Sequence, residues 1–356
     1  MTPLERMLMG RIEAQGPIRL ADYMADCLLH PEHGYYTRSE PFGAGGDFIT
    51  APEISQMFGE LLGLWLAQCW LDQGAPGAFT LAELGPGRGT LMADVLRATR
   101  GVPGFHAAAR VVLVEASPRL KAVQGTRLAP HAVAWADTVE ALPDAPLYLL
   151  ANEFFDALPV RQFTRAGAGW AETMVTVEAG ALALARGAPA PVAALAHRLA
   201  DTRDGDVVEL CPAAAPMAQA IASRIARRGG AALVVDYGGW RSRGDTVQAV
   251  RGHAPTGVLA TPGMADLTAH VDFEPLAEAA RAVGARPHGP VPQGALLDRL
   301  GIAARAARLA QGLAGPALAQ HTAALHRLTD PAEMGTVFQA LALLPPEAPL
   351  PAGFPS

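Results

Sequence analysis

Apolar residues recur at three- and four-residue spacing from Ile54 to Asp72, where Met57, Leu61, Leu64 and Trp65 fall on one side, and that period predicts a helix. Residues 3–15 and 19–29 read as two shorter helices split by the breaker pair Gly16-Pro17. Short apolar runs at Phe79 to Leu84, Arg110 to Val114, Leu147 to Ala151 and Ala231 to Val235 predict buried strands. Helical patterns lie between them. Leu91, Val95 and Leu96 mark one, Ser117-Pro118 supplies an N-cap and first position for a second, and Met217 to Arg227 forms a third. Residues 160–178 and 206–210 read as shorter strands or hairpins, and 185–196 as a surface connection. The stretch from about 293 to 343, rich in Ala and Leu, reads as helical, broken at Pro316 and Pro331. Strands alternating with helices predict an α/β fold with a doubly wound parallel sheet.

From His30 to Glu53 no period holds. This stretch carries four glycines, three prolines and the aromatics Tyr35, Tyr36, Phe42 and Phe48. A loop longer than about 15 residues is usually functional or disordered, and the aromatics argue against disorder. Over the whole chain, half of the residues are hydrophobic and 17% are charged, which supports a full core. The net charge of -6 argues against a nucleic-acid partner and suits a cationic substrate. Cys27, Cys69 and Cys211 are widely separated, so neither a zinc ribbon nor a disulfide framework is indicated. No apolar run reaches about 18 residues, so no membrane insertion is expected. The first residues lack the marks of a signal or transit peptide. With a composition rich in Ala, Arg and Gly and poor in Lys, this points to a bacterial, cytoplasmic protein.

The central chemical signal is LAELGPGRGTL, Leu81 to Leu91, a strand running into Gly85, Gly87 and Gly89 and then a helix. Dinucleotide sites favour G-x-G-x-x-G, whereas this spacing is G-x-G-x-G with the acid Glu83 two positions before it. S-adenosylmethionine (SAM) carries no pyrophosphate and needs no cradle for one. Glu115, at the end of the next strand, is placed to accept both ribose hydroxyls. Asp137 falls in the region that borders the adenine in methyltransferases; an N-cap or surface role serves it equally. SAM is therefore the expected cofactor.

The strand Leu147 to Ala151 ends in Asn152-Glu153-Phe154-Phe155-Asp156. Ligands of open α/β sheets bind outside the carboxyl ends of the strands, so this segment should face the transferred methyl. Many amino-directed methyltransferases carry Asp/Asn-Pro-Pro-aromatic here. NEFF matches at Asn152 and Phe155 and lacks the prolines. Glu153 and Asp156 add two carboxylates, which pair well with a planar guanidinium. His270 is a candidate proton acceptor, since imidazole titrates near neutrality; a structural hydrogen bond is the alternative. His30, His33, His270 and Asp272 raise a metal site, but no metal-binding spacing appears and none is expected.

HPEHGYY, PFGAGGDFITAPEISQMFGELLGLWL, ELGPGRGTLMADVLR, ANEFFDALPVRQF, VVDYG and GMADLTAHVDF, in that order, resemble the MidA-like methyltransferase family, from about Leu20 to about Arg281. The resemblance implies a Rossmann-like, seven-stranded methyltransferase sheet at 61–290. It implies an N-terminal helical and loop cap at 1–60 and leaves a helical C-terminal extension at 291–356. It implies a protein substrate, with methyl transfer to arginine of a respiratory complex I core subunit, since mitochondrial members of the family are complex I assembly factors. The Gly34-to-Glu60 and Asp266-to-Phe273 blocks would then flank the cleft, with Gly46 and Asp47 at the cofactor. Two other readings stay open: an NAD(P)-dependent oxidoreductase, which shares the fold and the ribose acid, and a catalytically idle assembly chaperone.

Overall fold

The structure is a computed structural model that describes residues 1–38 and 50–355. Gly46 and Asp47 lie outside the described residues. The chain forms two compact units, each made of three segments. One takes Met1–Phe48, Asp156–Ala214 and Arg241–Asp272; the other takes Ile49–Phe155, Ala215–Trp240 and Phe273–Ser356.

The second unit holds the predicted α/β sheet. Its strands are β1 (Phe79–Leu84), β2 (Ala109–Val114), β3 (Val133–Ala136), β4 (Leu147–Asn152), β5 (Gly230–Gly239), β6 (Arg286–Pro292) and β7 (Phe338–Leu344). They lie in the order β6-β7-β5-β4-β1-β2-β3. Strands β1 to β5 pair in parallel, and β7 runs antiparallel to both β5 and β6. Parallel pairs need crossovers, which the helices Thr90–Ala98 and Pro118–Leu128 supply after β1 and β2. The strand order reverses between β1 and β4, and the crevice at such a switch point is where doubly wound sheets bind ligands. All of β1 is buried, Thr80 and Glu83 included, so its sequence shows no alternation of polar and apolar residues.

The helix Gln56–Asp72 opens on Ser55, whose hydroxyl accepts the Met57 N–H at 3.2 Å. It packs closely on Thr90–Ala98 because Gly59 and Gly63 face it. A Cβ on Gly59 would lie 2.6 Å from Asp94 Cβ, and one on Gly63 2.8 Å from Val95 Cα. The 293–343 stretch does form the helices Gln293–Arg299, Ile302–Leu309 and Gly315–Thr329, but its end is a strand, β7, and not the predicted helix. Phe338-Gln-Ala-Leu-Ala-Leu-Leu is written in good helix formers, and a strand buried between two neighbours shows no alternation to betray it. Strand β6 carries three prolines, which an edge position tolerates.

The first unit begins with the predicted helices, Pro3–Gln15 and Leu20–Leu29. Thr2 and Glu5 close a capping box at the start, each side chain bonded to the other's backbone N–H at 3.0 Å. The hairpin Arg161–Ala166 with Gly169–Glu178 is flanked by Val207–Leu210 and Ala181–Arg186. Leu4, Leu8, Tyr23, Met24 and Leu28 pack with Val160, Val175 and Leu267 in this unit's core. Among the described residues no helix is long and apolar enough to cross a membrane, and no group of acids, histidines and cysteines could hold a metal ion. All three cysteines are free.

Candidate active site

The loop after β1 turns through three left-handed glycines, with φ of +56° at Gly85, +52° at Gly87 and +79° at Gly89. Gly85 also has no room for a side chain, because a Cβ there would sit 2.8 Å from the Phe154 ring. Glu83 is buried, and its carboxyl accepts the backbone N–H of Met92 in the helix that follows the loop. Burial pushes the Glu83 carboxyl up to about 8, with the nearby Asp94 acting in the same direction. Glu83 thus ties β1 to that helix from beneath the loop.

Glu115 follows the end of β2. Its Oε1 accepts the Ser117 N–H at 2.8 Å, and its Oε2 accepts from Gln124 Nε2 at 3.1 Å. Burial raises its pKa, opposed by these donors. Gln124 is fully buried in the helix Pro118–Leu128 and bonds in two further directions: Nε2 to the Gly87 carbonyl at 2.9 Å, and Oε1 from the Trp135 indole N–H at 2.8 Å. The sequence did carry a signal for it. Gln124 lies four residues from both Leu120 and Leu128, on the buried side of its helix. Asp137, just past β3, is 79% exposed and pairs at 2.7 Å with Lys121, the single lysine of the chain.

At the end of β4, Asn152 Nδ2 donates to Glu153 Oε1 at 3.0 Å. The same carboxylate oxygen accepts the Ala51 N–H at 3.0 Å, so it holds the start of the short helix Ala51–Ile54. That helix reaches the glycine loop as well, because Glu53 Oε1 accepts from the Thr90 hydroxyl at 2.6 Å. Glu153 itself sits at φ +49°, a left-handed geometry uncommon for a side-chain-bearing residue. Such strain persists only where surrounding bonds hold it, and Asp236, at 0% exposure near the end of β5, supplies two: its Oδ2 accepts the Phe154 and Phe155 N–H groups at 3.1 and 2.9 Å. Phe155, the aromatic that the sequence pattern matched, is buried, and it is the Phe154 ring that lies against Gly85.

Asp156 and His270 belong to the first unit. Asp156 is buried there, and its carbonyl accepts the Ala269 N–H at 2.9 Å. Tyr36 donates to Asp266 at 2.9 Å and feels the charge of Asp156, and burial with these acids holds its hydroxyl far from ionising. His270 is half-buried. Burial lowers its pKa, with Glu209 opposing, so the imidazole is neutral at neutral pH.

The residues fit SAM. A left-handed glycine turn admits close backbone approach, and Glu115 offers a carboxylate fixed by its neighbours yet with acceptor capacity to spare. A sheet of this order, with the glycine turn after β1 and the acid after β2, defines a class I SAM-dependent methyltransferase.

Comparison with known proteins agrees. The family described as "Putative S-adenosyl-L-methionine-dependent methyltransferase" matches residues 61–291, and the chain belongs to it. The mouse mitochondrial protein arginine methyltransferase NDUFAF7 is 38% identical over 97% of this chain and 85% of its own length. The human protein of that name is 37% identical over 97% and 84%. A Burkholderia thailandensis protein crystallised with S-adenosyl-homocysteine has a TM-score of 0.84 and 30% identity, covering 98% of this chain and 93% of that one. SAM is the cofactor, and the oxidoreductase and idle-chaperone readings give way to methyl transfer.

Proposed function

We propose that this enzyme methylates an arginine side chain of a protein, and that the protein is a core subunit of respiratory complex I or its bacterial counterpart. The observation that carries the reading is the contact of the Asn152–Phe155 segment with the glycine loop through Phe154 and Gly85, which supports an acceptor site beside the cofactor. The names of the mouse and human relatives support arginine and a protein substrate. The Lys-poor composition supports a bacterial, cytoplasmic setting.

SAM supplies an electrophilic methyl on a sulfonium. The chain's own residues bind and orient. Gly85, Gly87 and Gly89 admit the cofactor, with Glu83 holding their turn from below, Glu115 taking the ribose and Asp137 bordering the adenine. Asn152, fixed by its bond to Glu153, offers its amide carbonyl to a guanidinium N–H, while Glu153 sets the charge that selects a cation. The guanidinium enters as a cation and leaves, one methyl heavier, as a cation. One N–H proton must therefore depart as the new N–C bond forms. The Glu153 carboxylate is the proposed acceptor for it.

Glu153→Gln tests the assignment, since it keeps the shape and an oxygen for Ala51 while removing the charge. Turnover on the protein target should fall by roughly 10²–10⁴, the range typical of positioned acid–base groups, with SAM affinity little changed. Mass spectrometry of complex I from cells lacking the enzyme should show an arginine of a core subunit without its methyl. Wild-type turnover in the variant would remove Glu153 from the acceptor site. An unchanged arginine inventory would remove complex I as the target.

A further inference from the structure

We propose that Gln124 is a positioning residue for the ribose of the cofactor, acting through both Glu115 and Gly87. The inference concerns the cofactor side alone and holds whichever acceptor is methylated.

A glutamine amide has one acceptor oxygen and two N–H donors, and its two ends are told apart only by their partners. Here the partners decide. The Trp135 indole can only donate, so the 2.8 Å contact fixes the oxygen of Gln124 toward Trp135. Nε2 must then face the other way, and its two hydrogens go to the Gly87 carbonyl at 2.9 Å and to Glu115 Oε2 at 3.1 Å. Both are acceptors, so the amide is satisfied in every direction and has one orientation. With 0% exposure, no water competes for these bonds.

The consequence is geometric. Glu115 is gripped at Oε1 by Ser117 N–H and at Oε2 by Gln124, so its carboxylate plane is fixed before any ligand arrives. The same amide sets the position of the middle glycine of the turn. One side chain therefore fixes the carboxylate that takes the ribose hydroxyls relative to the backbone that the rest of the cofactor approaches. The helix that carries Gln124 packs directly against the loop, since a Cβ on Gly89 would stand at van der Waals distance, 3.6 Å, from Gln124 Cγ.

The test measures dissociation constants by calorimetry for S-adenosylhomocysteine and for an analogue whose ribose lacks both hydroxyls. Wild-type protein, Gln124→Leu, Glu115→Ala and the double variant are compared. Wild type should favour the hydroxylated ligand by about tenfold or more, the scale of a hydrogen bond to a charged group. Gln124→Leu should lose most of that ratio, and adding it to Glu115→Ala should cost the ratio nothing more, because both act through one contact. If Gln124→Leu instead weakens both ligands by the same factor and keeps the ratio, Gln124 is only packing and the proposal fails. Should Gln124→Leu not fold, Gln124→Glu gives a second reading. It sets two carboxyls face to face, and such a pair takes up a shared proton as pH falls, restoring one donated bond. Its ligand ratio should be low at about pH 8.5 and recover toward about pH 6; a ratio that stays flat overturns the proposal.

Discussion

Glu83→Gln should make the enzyme more stable at alkaline pH, and the size of the effect follows from burial. Glu83 is 3% exposed, its carboxyl accepts the Met92 N–H, and its pKa is held at about 8 against an ordinary 4.5. That difference makes the ionised form about 5 kcal/mol costlier in the folded chain than in the unfolded one. Below the ordinary value the group is protonated in both states, and its full contribution is present. Between 4.5 and about 8 the folded chain holds one proton more than the unfolded chain, so stability falls as pH rises. The slope approaches about 1.4 kcal/mol per pH unit, and the loss is complete above the folded value. Glutamine has the same shape, keeps an oxygen for Met92 and cannot ionise. Urea unfolding of wild type and Glu83→Gln, at steps from about pH 5 to about pH 8.5, isolates this group and its coupling to Asp94, because titrations that do not feel Glu83 cancel in the difference. The difference should swing toward the variant by several kcal/mol, with about 5 as the upper bound. Parallel pH profiles for the two proteins would show that Glu83 ionises normally, and the account of the loop's support would be wrong.

Glu115→Ala should weaken SAM binding by about 1.5–3 kcal/mol, the value of hydrogen bonds to a charged acceptor; unchanged affinity in calorimetry would put the ribose elsewhere. Gly85→Ala adds a Cβ at φ +56°, a strain of about 1–2 kcal/mol, and drives it against the Phe154 ring at 2.8 Å. Both SAM affinity and turnover should drop, and retention of either would show that the ring and the turn move independently. Asp236→Ala removes the acceptor of the Phe154 and Phe155 N–H groups, so methyl transfer should slow by an order of magnitude or more while SAM affinity changes little; equal turnover would mean that the β4 segment keeps its shape unaided.

The parts of the fold legible in the sequence are those whose pattern is local. The Gln56–Asp72 helix, strands β1, β2, β4 and β5, and the Ser117-Pro118 cap declare themselves through period, apolar runs and capping residues within a few positions. Strand β7 does not, because Ala and Leu suit a helix and only burial between β5 and β6 makes Phe338–Leu344 extended. Strand β3 is four residues long and half-buried, too short to show a period. In the site the same division holds. Glycines and acids at strand ends follow from where doubly wound sheets bind ligands, so Gly85, Gly87, Gly89 and Glu115 could be proposed from the sequence as cofactor residues. The aromatic was less legible: the pattern matched Phe155, whereas the ring against Gly85 is that of Phe154. Adjacent residues differ only in which way they face, and Asp236, 81 residues from Phe155, takes part in fixing that.

The helix Ala51–Ile54 shows why residues outside the motifs matter to the chemistry. It is one turn long and too short to be stable by itself. It is fixed at two points: Glu153 takes the Ala51 N–H, and Glu53 takes the Thr90 hydroxyl. The first bond comes from the acceptor segment after β4 and the second from the first residue of the helix after the glycine loop. Neither end of this turn can shift without pulling on the other. On the proposed reading, the Glu153 carboxylate has two tasks at once, one toward the guanidinium and one toward its own scaffold. Its Oε1 accepts from both Asn152 and Ala51. A carboxylate held by such donors has a defined orientation, and methyl transfer depends on fixed orientation, because the nitrogen must meet the methyl in line with the bond that breaks.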